Sequence, residues 1–177
     1  MLILGGTGAV GRVTAAIAAT LGAHVTIASH SDAARAERAS HDVDERFGIK
    51  TSGVGTGTPQ TLHAALTHAD IVFATAAAGV QVMSAADLTQ APRLLIAADV
   101  NAVPPEGIAG VNVMDDGKPL GGAVRPDAIG IGALAIGNVK YQVEHRLFTR
   151  MRTAGKPAYF GFTEAFDEAR AVVAERS

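Results

Sequence analysis

Three glycines in the opening stretch "MLILGGTGAVGR", Gly6, Gly8 and Gly11, have the spacing G-x-G-x-x-G. Between a strand and a helix this spacing suits the pyrophosphate of a dinucleotide. Gly6 permits the tight turn, Gly8 lets the backbone approach the phosphates, and Gly11 lets the helix pack against the strand. The helix N-terminus then offers unpaired N–H groups and the positive end of its dipole. A plain glycine turn at a strand–helix junction is the structural alternative. Arg12 and Val13 stand where a Walker-type loop needs Lys and then Ser or Thr, so that loop is excluded and ATP or GTP hydrolysis is not expected.

Two further segments bear on the same ligand. NAD-specific sites usually place Asp or Glu at the end of the second strand to hold the ribose 2'-hydroxyl, whereas this chain reads "SHSDAAR". Ser29, His30 and Ser31 can each donate a hydrogen bond, and Arg35 follows one helical turn later. The pattern favours NADP, with NAD possible. Asp32 is read as a helix N-cap pointing away, the alternative being an acceptor for the ribose. Further along, "ATAAAGV" (74–80) is nearly all small residues, so a nicotinamide ribose could pass close to the backbone at Ala76 and Ala77. In "AADVNAVPPEGIAG", Asp99 and Asn101 fall at a strand end and Pro104 and Pro105 forbid helix. Asn101 either bonds the carboxamide or ribose, or shapes the turn.

No catalytic triad or acid–base dyad is visible. The six histidines are scattered, without metal-ligand spacing, so no metal site is expected. His41, His63 and His68 lie on polar helical stretches and read as solvated. The paired carboxylates of "MDDGK" (114–118) read as a turn marked by Asp-Gly.

These segments need a scaffold, and the rest of the chain describes one. Its 177 residues suit a single domain, and 48% hydrophobic residues supply a core. A net charge of -2 leaves no footprint for nucleic acid, and the absence of cysteine excludes disulfides and thiolate ligands and suits a reducing cytoplasm. No signal peptide or membrane span is expected. Apolar runs alternate with helical patterns: strands at 1–4, 23–29, 49–54, 70–75 and 93–99, with a possible sixth at 111–114. The second, fourth and fifth are near-continuous in apolar residues, as in a parallel sheet covered on both faces. The expected fold is therefore α/β, a Rossmann-like doubly wound, mostly parallel sheet with helices on both faces.

The helices are bounded by recognisable signals. Val10, Thr14, Ile17 and Leu21 form one stripe expected to face the sheet. A second helix should run from Ser31 or Asp32 to Gly48, and a third should start at Thr58-Pro59. Ser84 and Asp87 have capping-box spacing. A long helix is expected from Asp127 to Arg152 and a final one from Thr163 to Arg176.

"DVNAVPPEGIAGV", followed by "GIGALAIGNVK" and a long helix, resembles the C-terminal cofactor domain of the NADP-dependent methylene-tetrahydromethanopterin dehydrogenases, some of which act on methylene-tetrahydrofolate. "GGTGAVGR" and the later spacings agree with it, so the resemblance extends over essentially the whole chain. It implies that Thr7, Gly8, Ala9 and Val10 meet the pyrophosphate and Ser29 to Ser31 the adenosine 2'-phosphate. Ala76, Ala77 and Asn101 would lie near the nicotinamide half. Family members tend to have Arg at the position of His30, a pH-dependent phosphate partner.

The resemblance also implies the chemistry. Hydride leaves a carbon between two nitrogens, so orientation over the nicotinamide suffices and no catalytic residue is nominated. In the family a substrate-binding domain precedes the cofactor domain, and the sequence opens directly on the glycine loop. The expectation is the NADP-binding part of a one-carbon oxidoreductase, with a pterin or folate substrate if a substrate domain is supplied, and a homo-oligomer. The alternatives are a free-standing NADP-binding or sensing protein and the cofactor domain of another two-domain dehydrogenase, such as the shikimate dehydrogenase type.

Overall fold

The computed structural model describes residues 1–176. In chain order the elements are β1 (Leu2–Leu4), α1 (Ala9–Thr20), β2 (Thr26–Ser29), α2 (Ala33–Phe47), β3 (Ser52–Gly55), α3 (Pro59–Leu66), β4 (Ile71–Ala74), α4 (Ala85–Leu88), β5 (Ile96–Asp99), β6 (Asp116–Pro119), β7 (Ile129–Ile131), α5 (Ala133–Thr153) and α6 (Phe162–Ala174). The strands form one sheet in the order β3-β2-β1-β4-β5-β7-β6. All neighbours are parallel except β6, which runs antiparallel to β7 at the edge. This is the doubly wound α/β arrangement expected from the sequence, and its strand order reverses between β1 and β4.

Both faces of the sheet are covered because successive strand residues point to opposite sides. On β1, Ile3 packs with Ala15 and Ala16 of α1 and Ala39 and Val43 of α2. Its neighbours Leu2 and Leu4 join a second cluster with Leu66, Leu88, Leu94 and Ile108. Each fully buried aliphatic side chain contributes about 1.5–3 kcal/mol by leaving water.

The helix starts follow the sequence signals. Asp32 caps α2 by accepting from the Ala34 N–H at 2.9 Å, and Gly48 closes that helix in the left-handed conformation. Thr58 and Thr61 bond reciprocally at the start of α3, as do Ser84 and Asp87 at α4.

Three expectations are corrected. The face of α1 turned inward is Gly11, Ala15 and Ala16, while Val10 and Leu21 are 56% and 61% exposed. Small size decides this face, because a side chain at position 11 would fall 2.5 Å from the Gly6 Cα. Residues 112–115 are a turn and not a sixth strand: the Asn112 N–H donates to Asp115 Oδ2 at 2.7 Å and the Met114 N–H to Asn112 Oδ1 at 3.0 Å. The "MDDGK" turn thus closes at Asp115, and Asp116 already begins β6. Finally, the long helix begins at Ala133 instead of Asp127, because residues 129–131 are drawn into the sheet as β7 beside β5.

The chain divides into two compact units, one spanning Met1–Ala133 and the other starting at Leu134. The first holds the whole sheet. In the second, Arg146 joins α5 to the end of α6 through Glu175 at 2.5 Å, and Arg150 reaches Glu168 at 3.0 Å. Among the described residues no helix is long and apolar enough to cross a membrane.

Candidate functional site

The carboxyl ends of β1 to β5 lie along one edge of the sheet, and backbone hydrogen bonds tie each to its neighbour. Gly6 N–H donates to the Ala28 carbonyl at 3.1 Å, Thr56 N–H to Ser29 at 2.8 Å, Thr75 N–H to Leu4 at 2.9 Å, and Val100 N–H to Ala74 at 3.2 Å. The segments singled out in the sequence therefore share one rim.

At its centre is the glycine loop. Gly5, which the motif does not include, takes φ +69°, and a Cβ there would stand 2.7 Å from the Ala76 backbone. Only glycine fits this conformation without strain. Gly8 is the N-cap of α1, has no side chain to accept a capping bond, and a Cβ on it would meet nothing within 4 Å. The first-turn N–H groups of a helix lack intrahelical partners, so at Ala9 and Val10 they face an open cradle of the kind an anion fills. Thr7 is half-buried, and its carbonyl accepts from Arg12 Nε at 3.0 Å. Arg12 also reaches Asp42 on α2 at 2.7 Å. This brace was not anticipated, because Arg12 and Asp42 stand 30 positions apart.

At the end of β2 the predicted residues separate. Ser29 is buried, with its hydroxyl 3.4 Å from that of Ser31 and accepting from the Asp32 N–H at 3.4 Å, so it shapes the turn. His30, Ser31 and Arg35 are exposed. The Asp32 carboxylate is occupied by its capping bond and lies 3.7 Å from Arg38. Arg35 makes no ion pair among the described residues.

A groove of about 360 Å³ opens beside His30 and is walled by Thr56 to Pro59, Ala76 and Val80 to Ser84. Thr58-Pro59 marks only a helix start in the sequence, yet residues 56–59 line one wall. Asp87 closes the groove. Burial works against its charge, but the Ser84 hydroxyl and N–H and the His63 ring outweigh this and hold its carboxyl below the usual value. His63 Nε2 lies 2.7 Å from Asp87 Oδ1, so this histidine is a bonded partner and not simply solvated.

Beyond β4 and β5, Ala76 and Ala77 lie on the loop that crosses the glycine turn, Ala76 half-buried and Ala77 exposed. Asn101 is buried. Its Oδ1 accepts from Gly79 N–H at 3.1 Å and Val103 N–H at 3.0 Å, and its Nδ2 donates to the Pro105 carbonyl at 2.7 Å. The residue thus joins the two loops, with one N–H left over. Asp99 is 2% exposed and accepts from Asn101, Gly107 and Ile108 N–H groups at 2.9, 2.7 and 3.2 Å. Among the described residues no group of three or more His, Asp or Glu side chains could hold a metal ion.

No family model matches the chain. It is 42% identical over 168 residues to the NAD(P)-dependent methylenetetrahydromethanopterin dehydrogenase of Methylorubrum extorquens, a match covering 94% of this chain and 55% of that protein. Bifunctional protein MdtA of the same organism is 33% identical over 102 residues, covering 58% of this chain and 35% of that one. The chain therefore spans about half the length of the first relative, which is of the kind that the "DVNAVPPEGIAGV" segment pointed to. Among solved structures, shikimate 5-dehydrogenase from Listeria monocytogenes, in complex with shikimate and NAD, aligns with TM-score 0.57 at 17% identity. That alignment covers 98% of this chain and 55% of that one, and shows a shared fold.

Proposed function

We propose that this chain is the NADP-binding part of an oxidoreductase that takes hydride from a methylene-pterin, methylene-tetrahydromethanopterin or its folate counterpart. The 42% identity along 94% of the chain to a methylenetetrahydromethanopterin dehydrogenase is the observation that carries this reading. The rim supports it. The Gly8 cradle and the free N–H groups of α1 suit a pyrophosphate, and the groove beside His30 suits an adenosine.

When bound, the dinucleotide supplies the carbon that accepts hydride. The chain's own residues orient and brace. Arg12 holds the glycine loop to α2, and Asn101 holds the two loops where the nicotinamide half would lie. Hydride departure from a carbon flanked by two nitrogens leaves a cation that their lone pairs stabilise, so no side chain need remove a proton. Positioning then accounts for the rate. In this proposal the substrate is chosen by a part corresponding to the half of the relative that this chain does not match. The absence of cysteine fits work in the reducing cytoplasm, and the exposed Tyr141 and Phe148 of α5 fit self-association.

The test is a calorimetric titration of the chain with NADP and NAD, followed by assays of methylene-tetrahydromethanopterin oxidation and dehydroshikimate reduction by the intact protein. Failure to bind either dinucleotide overturns the cofactor assignment. Reduction of dehydroshikimate without activity on pterins overturns the substrate assignment.

A further inference from the structure

Taking the self-association in that reading as given, and independently of its cofactor, we propose that the outward face of α5 pairs with the same face of a second copy of this chain. The two helices run antiparallel, and Phe148 of each copy sits over Gly137 of the other.

In the second unit α5 turns one side to α6, where Val143 is buried and Arg146 and Arg150 reach Glu175 and Glu168. On the opposite side Leu134, Tyr141 and Phe148 recur every seven residues and are 51%, 68% and 67% exposed. Residues at this spacing line up on one helix face, and Met151, also exposed, extends the row. Scattered exposed apolar residues are ordinary, but an aligned row along about 25 Å of helix marks a contact surface. The Tyr141 ring is steadied by stacking on His145, 6.4 Å between centroids.

Gly137 lies in the same row, three residues after Leu134 and four before Tyr141. Glycine weakens a helix interior relative to alanine. At Gly11 the reason is visible, because neighbouring backbone leaves no room for a side chain, whereas a Cβ on Gly137 would meet nothing within 4 Å. The chain's own packing therefore does not call for a glycine here, and the gap it leaves is open to a side chain from outside.

The side chain that fits is carried by the same helix. Positions 134, 137, 141, 144, 148 and 151 are spaced 3, 4, 3, 4 and 3, the same from either end. Laid antiparallel with Leu134 against the partner's Met151, one register sets Gly137 against the partner's Phe148 and Tyr141 against the partner's Glu144. Each contact occurs twice, as a twofold axis demands. A large ring then meets the smallest residue, two apolar chains meet at each end, and the tyrosine hydroxyl can donate to a carboxylate that lies 3.8 Å from Lys140 within its own chain. A different partner would have to supply a matching ring at a matching spacing, which a second copy already has.

Sedimentation of the chain over a concentration series is expected to show a monomer–dimer equilibrium. Gly137→Leu adds a side chain in space that is open within one chain, so helicity by circular dichroism holds or rises while the dimer dissociation constant increases about tenfold or more. Phe148→Glu, at an exposed position, should weaken the dimer to a similar degree with the fold retained. The absence of native cysteine lets disulfides report the register. Leu134→Cys combined with Met151→Cys should give a linked dimer on oxidation, and neither alone should. In this register the two copies of position 134 stand about 25 Å apart, and a disulfide joins Cα atoms less than about 7 Å apart. A chain that stays monomeric at every concentration overturns the inference together with the self-association. A dimer that survives both Gly137→Leu and Phe148→Glu, or that is linked by Leu134→Cys alone, overturns the pairing and leaves self-association standing.

Discussion

Arg12 Nε donates to the carbonyl of Thr7 at 3.0 Å while its guanidinium holds Asp42 at 2.7 Å, so one side chain fastens the glycine loop to the second helix. The ion pair is half exposed and contributes little to stability, typically below about 1 kcal/mol. Its consequence is positional. Arg12→Ala is expected to leave the melting temperature nearly unchanged yet weaken NADP binding several-fold, because the Thr7 peptide is freed beside the cradle. Asp42→Asn should show a smaller loss of the same kind. Calorimetry paired with thermal melts distinguishes this from general destabilisation, which would move both quantities together.

Gly8 and Gly11 occupy the same motif but different surroundings, and substitution separates them. A methyl at Gly8 meets nothing, and its backbone, φ -78° and ψ 175°, suits any residue. Gly8→Ala should fold with a loss of about 1 kcal/mol or less while reducing dinucleotide affinity at least tenfold, since the methyl fills the cradle. A methyl at Gly11 falls against the Gly6 backbone. Gly11→Ala should therefore cost about 1–3 kcal/mol or more through overpacking, as read by denaturant unfolding.

Asp99 is buried and gathers three backbone N–H groups from the loop after β5. Asp99→Ala leaves these donors without an acceptor, and a loss on the order of 3 kcal/mol is expected. Equal urea midpoints for the two proteins would show that the carboxylate is not holding this loop.

Asp87 gives a stability contribution with a defined pH dependence. Its carboxyl is more acidic in the folded chain than its ordinary value of 3.8, because the hydrogen bonds from Ser84 and His63 outweigh the cost of burial. The unfolded chain therefore takes up the proton first as pH falls. The contribution is present above about pH 4 and is lost as pH drops through the lower folded value. The melting-temperature gap between the native protein and Asp87→Asn should be largest near neutrality and shrink between pH 5 and pH 3. A gap that widens on acidification contradicts the assignment.

Local signals in the sequence proved reliable. The Asp32 cap, the Thr58-Pro59 start and the Ser84–Asp87 box are each settled within a few residues, because a helix end must satisfy its own N–H groups with whatever lies beside it. Periodicity failed where size outweighed hydropathy. On α1 the alanines and Gly11 face the sheet and the larger Val10 and Leu21 do not, since the sheet and loop approach too closely for them. It also failed at the edge of the sheet. Strand β6, "DGKP", is exposed at every position and has no apolar pattern to find, and β7 is three residues within a stretch that otherwise reads as helix.

By itself, the amino-acid order determined the alternation of strands and helices, the doubly wound class and the position of the glycine loop, all of which follow from contacts short in sequence. Tertiary structure alone decided which residues of the rim are free. It buried Ser29 in its turn, engaged Asn101 between two loops, paired His63 with Asp87 and left His30 and Arg35 exposed. The pairings of Asn101 with Gly79 and of His63 with Asp87 bring together groups 22 and 24 positions apart. A residue's type states which hydrogen bonds it can form, and only the fold determines which of them are already made.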